Sequence, residues 1–83
     1  MMNQGAQAEL FAACYLQQQG LQLITQNYRI RAGEIDLIMQ DGASLVFVEV
    51  RMRSKATFGG AAASIDAHKQ RRLILAAQHY LAS

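Results

Sequence analysis

Residue types that define several protein classes are scarce or missing in this chain of 83 residues. The single cysteine, Cys14, excludes an internal disulfide framework, and its place in an apolar helical pattern predicts a small buried hydrophobic residue. One cysteine and two distant histidines also lack the spacing of a zinc site. The N-terminus has no basic segment followed by an apolar run, and no run approaches the roughly 20 apolar residues of a membrane span. We therefore expect a cytoplasmic protein without a signal peptide or membrane contact.

Composition nevertheless predicts one folded domain over residues 1–83, because 52% of the residues are hydrophobic and the six glycines are not gathered into a linker. The net charge is only +2, but all eight basic residues flank or follow an acidic segment. They form three groups: Arg29 and Arg31; Arg51, Arg53 and Lys55; Lys69, Arg71 and Arg72. This distribution is compatible with contacts to nucleic-acid phosphates, and equally with ordinary solvated charges.

The hydrophobic pattern predicts an α-β-β-β-α order. The five elements are predicted at 3–19, 21–30, 34–39, 44–52 and from Ser64 or Asp66 to about 81, with a loop at 53–63. Asn3 and Gly20 are residue types that begin and end a helix, and Gly33 marks a turn. The predicted apolar stripes are Leu10, Phe11, Cys14 and Tyr15, extended by Ala6 and Ala13, on the first helix, and Ile65, Leu73, Ala76, Ala77 and Tyr80 on the second.

The second and third strands form a predicted hairpin, because Asp41-Gly42 between apolar runs is a strong turn signal. The predicted facing pairs are Gln40–Ala43, Asp36–Phe47 and Glu34–Glu49. Side chains alternate between the two faces of a strand. One predicted face therefore carries Glu34, Asp36, Ile38, Leu45, Phe47, Glu49 and Arg51, and the other carries Ile35, Leu37, Val46, Val48 and Val50.

Asp36 and Glu49 are diagonal neighbours in this register, with Cα atoms roughly 7–8 Å apart, so their carboxylates could converge on one ion. The strands are otherwise rich in apolar residues, which suggests a sheet covered on both sides whose acidic groups need a counter-charge. A hard divalent cation with oxygen ligands fits, and Mg²⁺ comes first because it also engages phosphates. The alternative is a pair of solvated carboxylates with Arg51 as a cross-strand salt-bridge partner.

Two segments, GEIDLI at 33–38 and LVFVEVRMR at 45–53, resemble the YraN family of uncharacterised bacterial proteins, and the resemblance extends over nearly all of the chain. That family is similar to the PD-(D/E)xK nuclease superfamily, which includes archaeal Holliday-junction resolvases and many restriction enzymes. The resemblance implies an α/β, restriction-endonuclease-like fold with an α-β-β-β-α core and a mixed sheet between helices. It also implies Mg²⁺ or Mn²⁺ as the cofactor.

The resemblance assigns roles by position. Asp36 matches the acidic residue of the second strand, and Glu49 matches the acidic residue of the (D/E)xK element. Glu9 matches a first-helix glutamate that can complete the metal site. Arg51 stands where the family generally has lysine. Arginine effectively never loses its proton, so Arg51 could hold a phosphate or stabilise transition-state charge but could not deprotonate water.

The second helix and the chain length are two further points in the resemblance to the nuclease superfamily. Lys69 and Gln70 begin that helix on or beside its apolar stripe, where they either reach the site and its phosphates or extend to water. Domains of the superfamily normally continue into a further strand parallel to the third, whereas this sequence stops at Ser83. We expect either a C-terminally truncated domain or a homo-oligomer formed by pairing along the free edge of the third strand.

The sequence leaves three functions open. The first is a metal-dependent endonuclease acting on DNA, with branched or structured DNA as a candidate substrate. The second is a catalytically inactive nucleic-acid-binding module on the same scaffold. The third is an interaction protein whose acidic hairpin pairs with its own arginines. The predicted nucleic-acid contacts are Arg29, Arg31, Arg53, Lys55, Lys69, Gln70, Arg71 and Arg72.

Overall fold

A computed structural model describes residues 4–51 and 67–83. Within them the elements follow the expected α-β-β-β-α order. They are α1 (Gln4–Gln18), β1 (Gln22–Ile30), β2 (Gly33–Asp41), β3 (Ser44–Val48) and α2 (Ala67–Ala82). The predicted loop at 53–63 lies outside the described residues, and so do Asn3, Arg53, Lys55, Ser64, Ile65 and Asp66.

Helix α1 ends as its sequence predicts, at a glycine in the left-handed conformation. Gly20 has a φ of 101° and donates its N–H to the carbonyl of Gln17 at 3.0 Å. Leu21 donates to the carbonyl of Leu16 at 3.1 Å, which completes a Schellman motif. Leu16 and Leu21 also pack against the same core cluster, so the chain leaves α1 already directed towards β1.

The three strands form one antiparallel sheet in the order β1-β2-β3, with β2 at the centre. The parallel strand that would make this sheet mixed is not among the described elements. β2 pairs along its length with β1 and, over its second half, with β3. The central strand is accordingly the most buried element, since four of its residues, Ile35, Leu37, Ile38 and Met39, are fully buried.

The hairpin between β2 and β3 is shifted by two residues from the predicted register. Asp41 pairs with Ser44, so the turn is Gly42-Ala43 rather than Asp41-Gly42. Gly42 has a φ of 61°, and Ala43 is not among the residues with positive φ. Positive φ at the first central position alone is typical of a II′ turn, whereas the predicted turn needed it at two positions. Because the shift is an even number of residues, each side chain of β3 keeps its predicted face.

The two helices cover opposite faces of the sheet. On the α1 side, Ala12, Ala13 and Leu16 pack with residues of all three strands, namely Leu23, Leu37, Met39, Val46 and Val48, and with Leu21 and Val50 beside them. On the α2 side, Leu73, Ala76, Ala77 and Tyr80 pack with Tyr28, Ile30, Ile35, Ile38 and Phe47. The predicted α2 stripe is therefore confirmed for its described residues.

The prediction that Ile35 shares a face with Leu37 is wrong. Ile35 belongs to the α2 cluster, whereas Leu37 belongs to the α1 cluster. Gly33 also faces α2, because a Cβ built on it would meet the backbone of Arg72. The simple alternation is thus broken at Asp36, opposite Asn27, which has a φ of 56°. Asp36 occupies the irregular position of the central strand.

The predicted apolar stripe of α1 is also wrong in orientation. Phe11, Tyr15 and Leu10 are 75%, 54% and 49% exposed, and Cys14 is an exposed free thiol rather than a buried residue. The helix presents Ala12, Ala13 and Leu16 to the sheet, so Ala13 is the predicted member that is buried as expected. This face includes two alanines, whereas the bulkier apolar side chains of α1 remain exposed.

Gly33 begins β2 at the point where α2 crosses it. The predicted turn lies just before it, at Arg31 and Ala32. Gly33 does not have positive φ, so no turn geometry requires glycine there. A Cβ at this position would meet the carbonyl oxygen of Arg72, with its carbonyl carbon at 2.6 Å and Cα at 3.0 Å. Gly33 therefore provides the close approach that holds the first turns of α2 over the end of the hairpin.

Candidate functional site

The structure brings Asp36 and Glu49 together at one end of the hairpin. The pairing of β2 with β3 ends at Leu37–Val48, and Asp36 and Glu49 are the residues next to that last pair. The backbone N–H of Val50 donates a hydrogen bond of 2.8 Å to Oδ2 of Asp36. This bond crosses from the segment after β3 to β2, so it fixes the Asp36 carboxylate beside Glu49. Both acidic residues are half-buried.

Glu49 sits in an environment that disfavours its charge. Burial raises the pKa of Glu49 above its ordinary value of 4.5, and the negative charge of Asp36 raises the pKa further. Lys69 and Arg51 act in the opposite direction, because their positive charges favour the carboxylate. Glu34 adds a smaller upward effect. The net direction is upward, so the nearby cations do not fully compensate for burial and for the neighbouring carboxylates.

A pocket of about 160 Å³ opens next to Glu49 on the α2 side. Its lining residues are Glu34, Glu49, His68, Lys69 and Arg72. One wall is held by a salt bridge in which Nη2 of Arg72 donates to Oε1 of Glu34 at 3.1 Å. The two side chains of this bridge are 36% and 52% exposed, so the contact is open to solvent.

Most of the remaining predicted site residues that the structure describes lie outside this pocket. Glu9 lies on α1, whose packing face covers the opposite side of the sheet, and it neither lines the pocket nor influences the pKa of Glu49. Arg29 is exposed on β1, directly opposite Glu34, and Arg31 is exposed in the following turn. Gln70 is exposed on α2 outside the pocket lining, and Arg71 is exposed on the same helix. The structure therefore joins Asp36 and Glu49 with Arg51, Lys69 and Arg72, but not with Glu9.

The ligand atoms of the acidic pair are of the kind that Mg²⁺ binds. Asp36 and Glu49 offer only carboxylate oxygens, and no group of three or more His, Cys, Asp or Glu side chains suited to a metal ion occurs within 4–51 and 67–83. Structural zinc sites need four protein ligands, so this arrangement does not suit them. Mg²⁺ usually keeps several waters and takes one or two carboxylates together with substrate phosphates. The two carboxylates fit Mg²⁺ in that mode.

Sequence reasoning missed His68 and Glu34 as pocket residues. Glu34 was placed on the acidic face, but its bond to Arg72 depends on where α2 crosses the sheet. His68 and Arg72 are four residues apart and therefore share one face of α2, which is a signal visible in the sequence. Nothing in the sequence, however, shows that this face meets Glu49.

Neither described helix is both long and apolar enough to cross a lipid bilayer.

Comparison with a family profile and comparison with individual proteins both indicate the same family. The family profile described as "Uncharacterised protein family UPF0102" matches residues 8–83. A UPF0102 protein of Janthinobacterium sp. (strain Marseille) is 66% identical over 77 residues, which cover 93% of this chain and 63% of the relative. UPF0102 proteins of Methylobacillus flagellatus and Nitrosomonas europaea are 62% and 64% identical, over 98% and 96% of this chain and 72% and 68% of their own lengths. The chain thus spans about two thirds of the length of these relatives. The chain belongs to the UPF0102 family.

Proposed function

We propose that this UPF0102 protein is a metal-dependent nuclease acting on DNA, with a restriction-endonuclease-like scaffold and Asp36 and Glu49 as its metal-binding carboxylates. The observation that carries the proposal is the pairing of these two half-buried acids, with burial and Asp36 both raising the pKa of Glu49. Like charges placed together at a partly covered end of a sheet destabilise the fold. Such a cost is typical of a site retained for its chemistry.

Each residue of the site has a defined part in this proposal. The bond from the Val50 N–H orients Asp36, and Lys69 and Arg51 favour the ionised form of Glu49 in which a carboxylate can bind a cation. Bound Mg²⁺ would supply polarisation of a phosphoryl oxygen and a lower pKa for a coordinated water. Arg51 is exposed, and the role of its guanidinium is to contact the scissile phosphate and to stabilise charge that develops there.

A catalytically inactive nucleic-acid-binding module is the second candidate, and Arg51 is the observation that favours it. Arginine at this place cannot act as a general base, whereas a guanidinium is well suited to holding a phosphate. In that case Asp36 and Glu49 would bind a cation that bridges the protein to the phosphate backbone without cleavage. The proposed location for either activity is the cytoplasm.

Incubation with branched and linear DNA in Mg²⁺ or Mn²⁺ tests the nuclease directly. We expect cleavage by the wild type, loss of cleavage in Asp36→Asn and Glu49→Gln, and retained cleavage in Asp41→Asn. Asp41 is the matched control, because it is an exposed aspartate at the far end of the same strand. If neither the wild type nor Arg51→Lys cleaves any substrate, and both still bind DNA, the binding module is the correct interpretation.

The free edge of β3 provides a proposed contact between chains. β3 pairs only with β2 among the described strands, so its other edge has no partner strand within 4–51 and 67–83. Pairing two copies along this edge would give a homo-oligomer and continue the sheet. Light scattering tests this point, and a monomer at all concentrations would contradict it.

A further inference from the structure

The pocket beside Glu49 has charges that nearly cancel. Glu34 and Glu49 contribute two carboxylates, and Lys69 and Arg72 contribute two cations. His68 is the fifth lining residue. A positive charge introduced at position 68 would therefore give this pocket more cationic than anionic side chains.

The arrangement of α2 brings several hydrogen-bond donors to one place. His68 and Arg72 lie one helical turn apart, and Lys69 is adjacent to His68. The close approach of Gly33 to the backbone of Arg72 holds this part of the helix against β2. Glu34 orients Arg72 through the 3.1 Å bond at Nη2. Because a solvent-exposed salt bridge is weak, an incoming anion can share or displace this contact.

We infer that this pocket is a subsite for one phosphate of a nucleic-acid backbone, in which His68, Lys69 and Arg72 contact the phosphate and Glu34 positions Arg72. The inference rests on the proposed function for the identity of its ligand, and it adds His68 and Glu34 to the site. It places the bound phosphate next to Glu49, on the α2 side of the carboxylate pair. Nucleic acid would then approach across the first turns of α2.

Introducing a positive charge at position 68 tests the inference. The matched control introduces the same charge at the other described histidine, His79. His79 also lies on α2, but it bonds to Tyr28 and is not part of the pocket lining. His68→Arg and His79→Arg change the net charge equally. DNA affinity is measured by fluorescence anisotropy in EDTA over a range of salt concentrations, so that cleavage does not enter the result.

We expect His68→Arg to make the logarithmic salt dependence steeper by about 0.9, which corresponds to roughly eightfold tighter binding at about 0.1 M salt relative to 1 M. His79→Arg should change affinity by less than about twofold, because a charge away from the phosphate is screened. His68→Ala should weaken binding, and His79→Ala should not. Equal effects of the two arginine substitutions would overturn the subsite.

Two further outcomes separate this inference from the nuclease proposal. If residue 68 controls binding but no DNA is cleaved in Mg²⁺, the subsite is supported and the nuclease fails. If cleavage depends on Asp36 while the two histidine positions behave alike, the nuclease is supported and the subsite fails. A dumbbell DNA without ends separates an internal phosphodiester from a terminal phosphate. An effect of residue 68 seen only with 5′-phosphorylated linear DNA would overturn the backbone assignment.

Discussion

Replacement of Gly33 by alanine tests the contact that positions α2 over the candidate site. The new Cβ would lie 2.6 Å from the carbonyl carbon of Arg72 and 3.0 Å from its Cα, closer than ordinary van der Waals contact, and closer still to the carbonyl oxygen. All three are backbone atoms, so no side-chain rotation relieves the overlap. Either α2 must move away from β2 or the start of β2 must bend.

The expected loss of stability is about 2 kcal/mol. Overpacking costs about 1–3 kcal/mol, and a clash with backbone belongs at the upper end, near 3 kcal/mol. Alanine at a strand position without positive φ returns about 0.5–1 kcal/mol, because the unfolded chain loses conformational freedom. The difference lowers the melting temperature of a domain of this size by roughly 8–16 °C.

Urea unfolding followed by circular dichroism measures this loss, with Gly20→Ala and Gly42→Ala as comparisons. Those two glycines have positive φ, and a Cβ added at either would have nothing within 4 Å, so their substitution costs about 1–2 kcal/mol through backbone conformation alone. Gly33→Ala should alone displace α2, and it should therefore weaken DNA binding as well as stability. A Gly33→Ala protein within about 0.5 kcal/mol of the wild type would refute the close packing of α2 on β2.

Three other perturbations follow from the described contacts. The raised pKa of Glu49 means that the folded state binds this proton more tightly than the unfolded state, so stability falls as pH rises from 4.5 towards the raised pKa. Glu49→Gln should therefore raise the melting temperature near pH 8, with a smaller gain near pH 4, and equal gains would contradict the shift. Tyr28→Phe keeps the ring contact with Tyr80 but loses the 2.6 Å hydrogen bond to His79, so urea unfolding should show a loss of about 0.5–1 kcal/mol. Cys14 should react with Ellman's reagent in the native protein nearly as fast as in urea, and strong protection would show that α1 packs through its other face.

The order of elements could be predicted from the sequence because local signals specify it. Helical spacing, strand-like runs and Gly20 each act within a few residues, and Gly20 ends α1 in the predicted way. The exact hairpin register could not be predicted, because Asp41-Gly42 and Gly42-Ala43 are both compatible with a tight turn. That Asp36 and Glu49 lie near each other was nevertheless predictable, since a shift of two residues still leaves both at the same end of the hairpin.

Predictions about α1 failed where the sequence offered two apolar faces. The predicted stripe was Leu10, Phe11, Cys14 and Tyr15, extended by Ala6 and Ala13, whereas the face that packs on the sheet is Ala12, Ala13 and Leu16. Hydrophobicity alone favours the larger side chains, but a helix can approach a sheet more closely through small ones. Which face of α1 packs on the sheet depends on the shape of the sheet surface, and the local sequence of the helix does not specify that shape.

By itself, the sequence determined the helix and strand order, the end of α1 at Gly20, and the presence of one acid on β2 and another near the end of β3. Each depends on spacing along the chain, which is a local property. Only the tertiary structure decided that α2 crosses β2 at Gly33, and that His68, Lys69 and Arg72 line one pocket with Glu49. The packing of α2 on β2 brings together residues that are far apart in the sequence. It depends on how closely the two backbones can approach in space, which no local sequence pattern specifies.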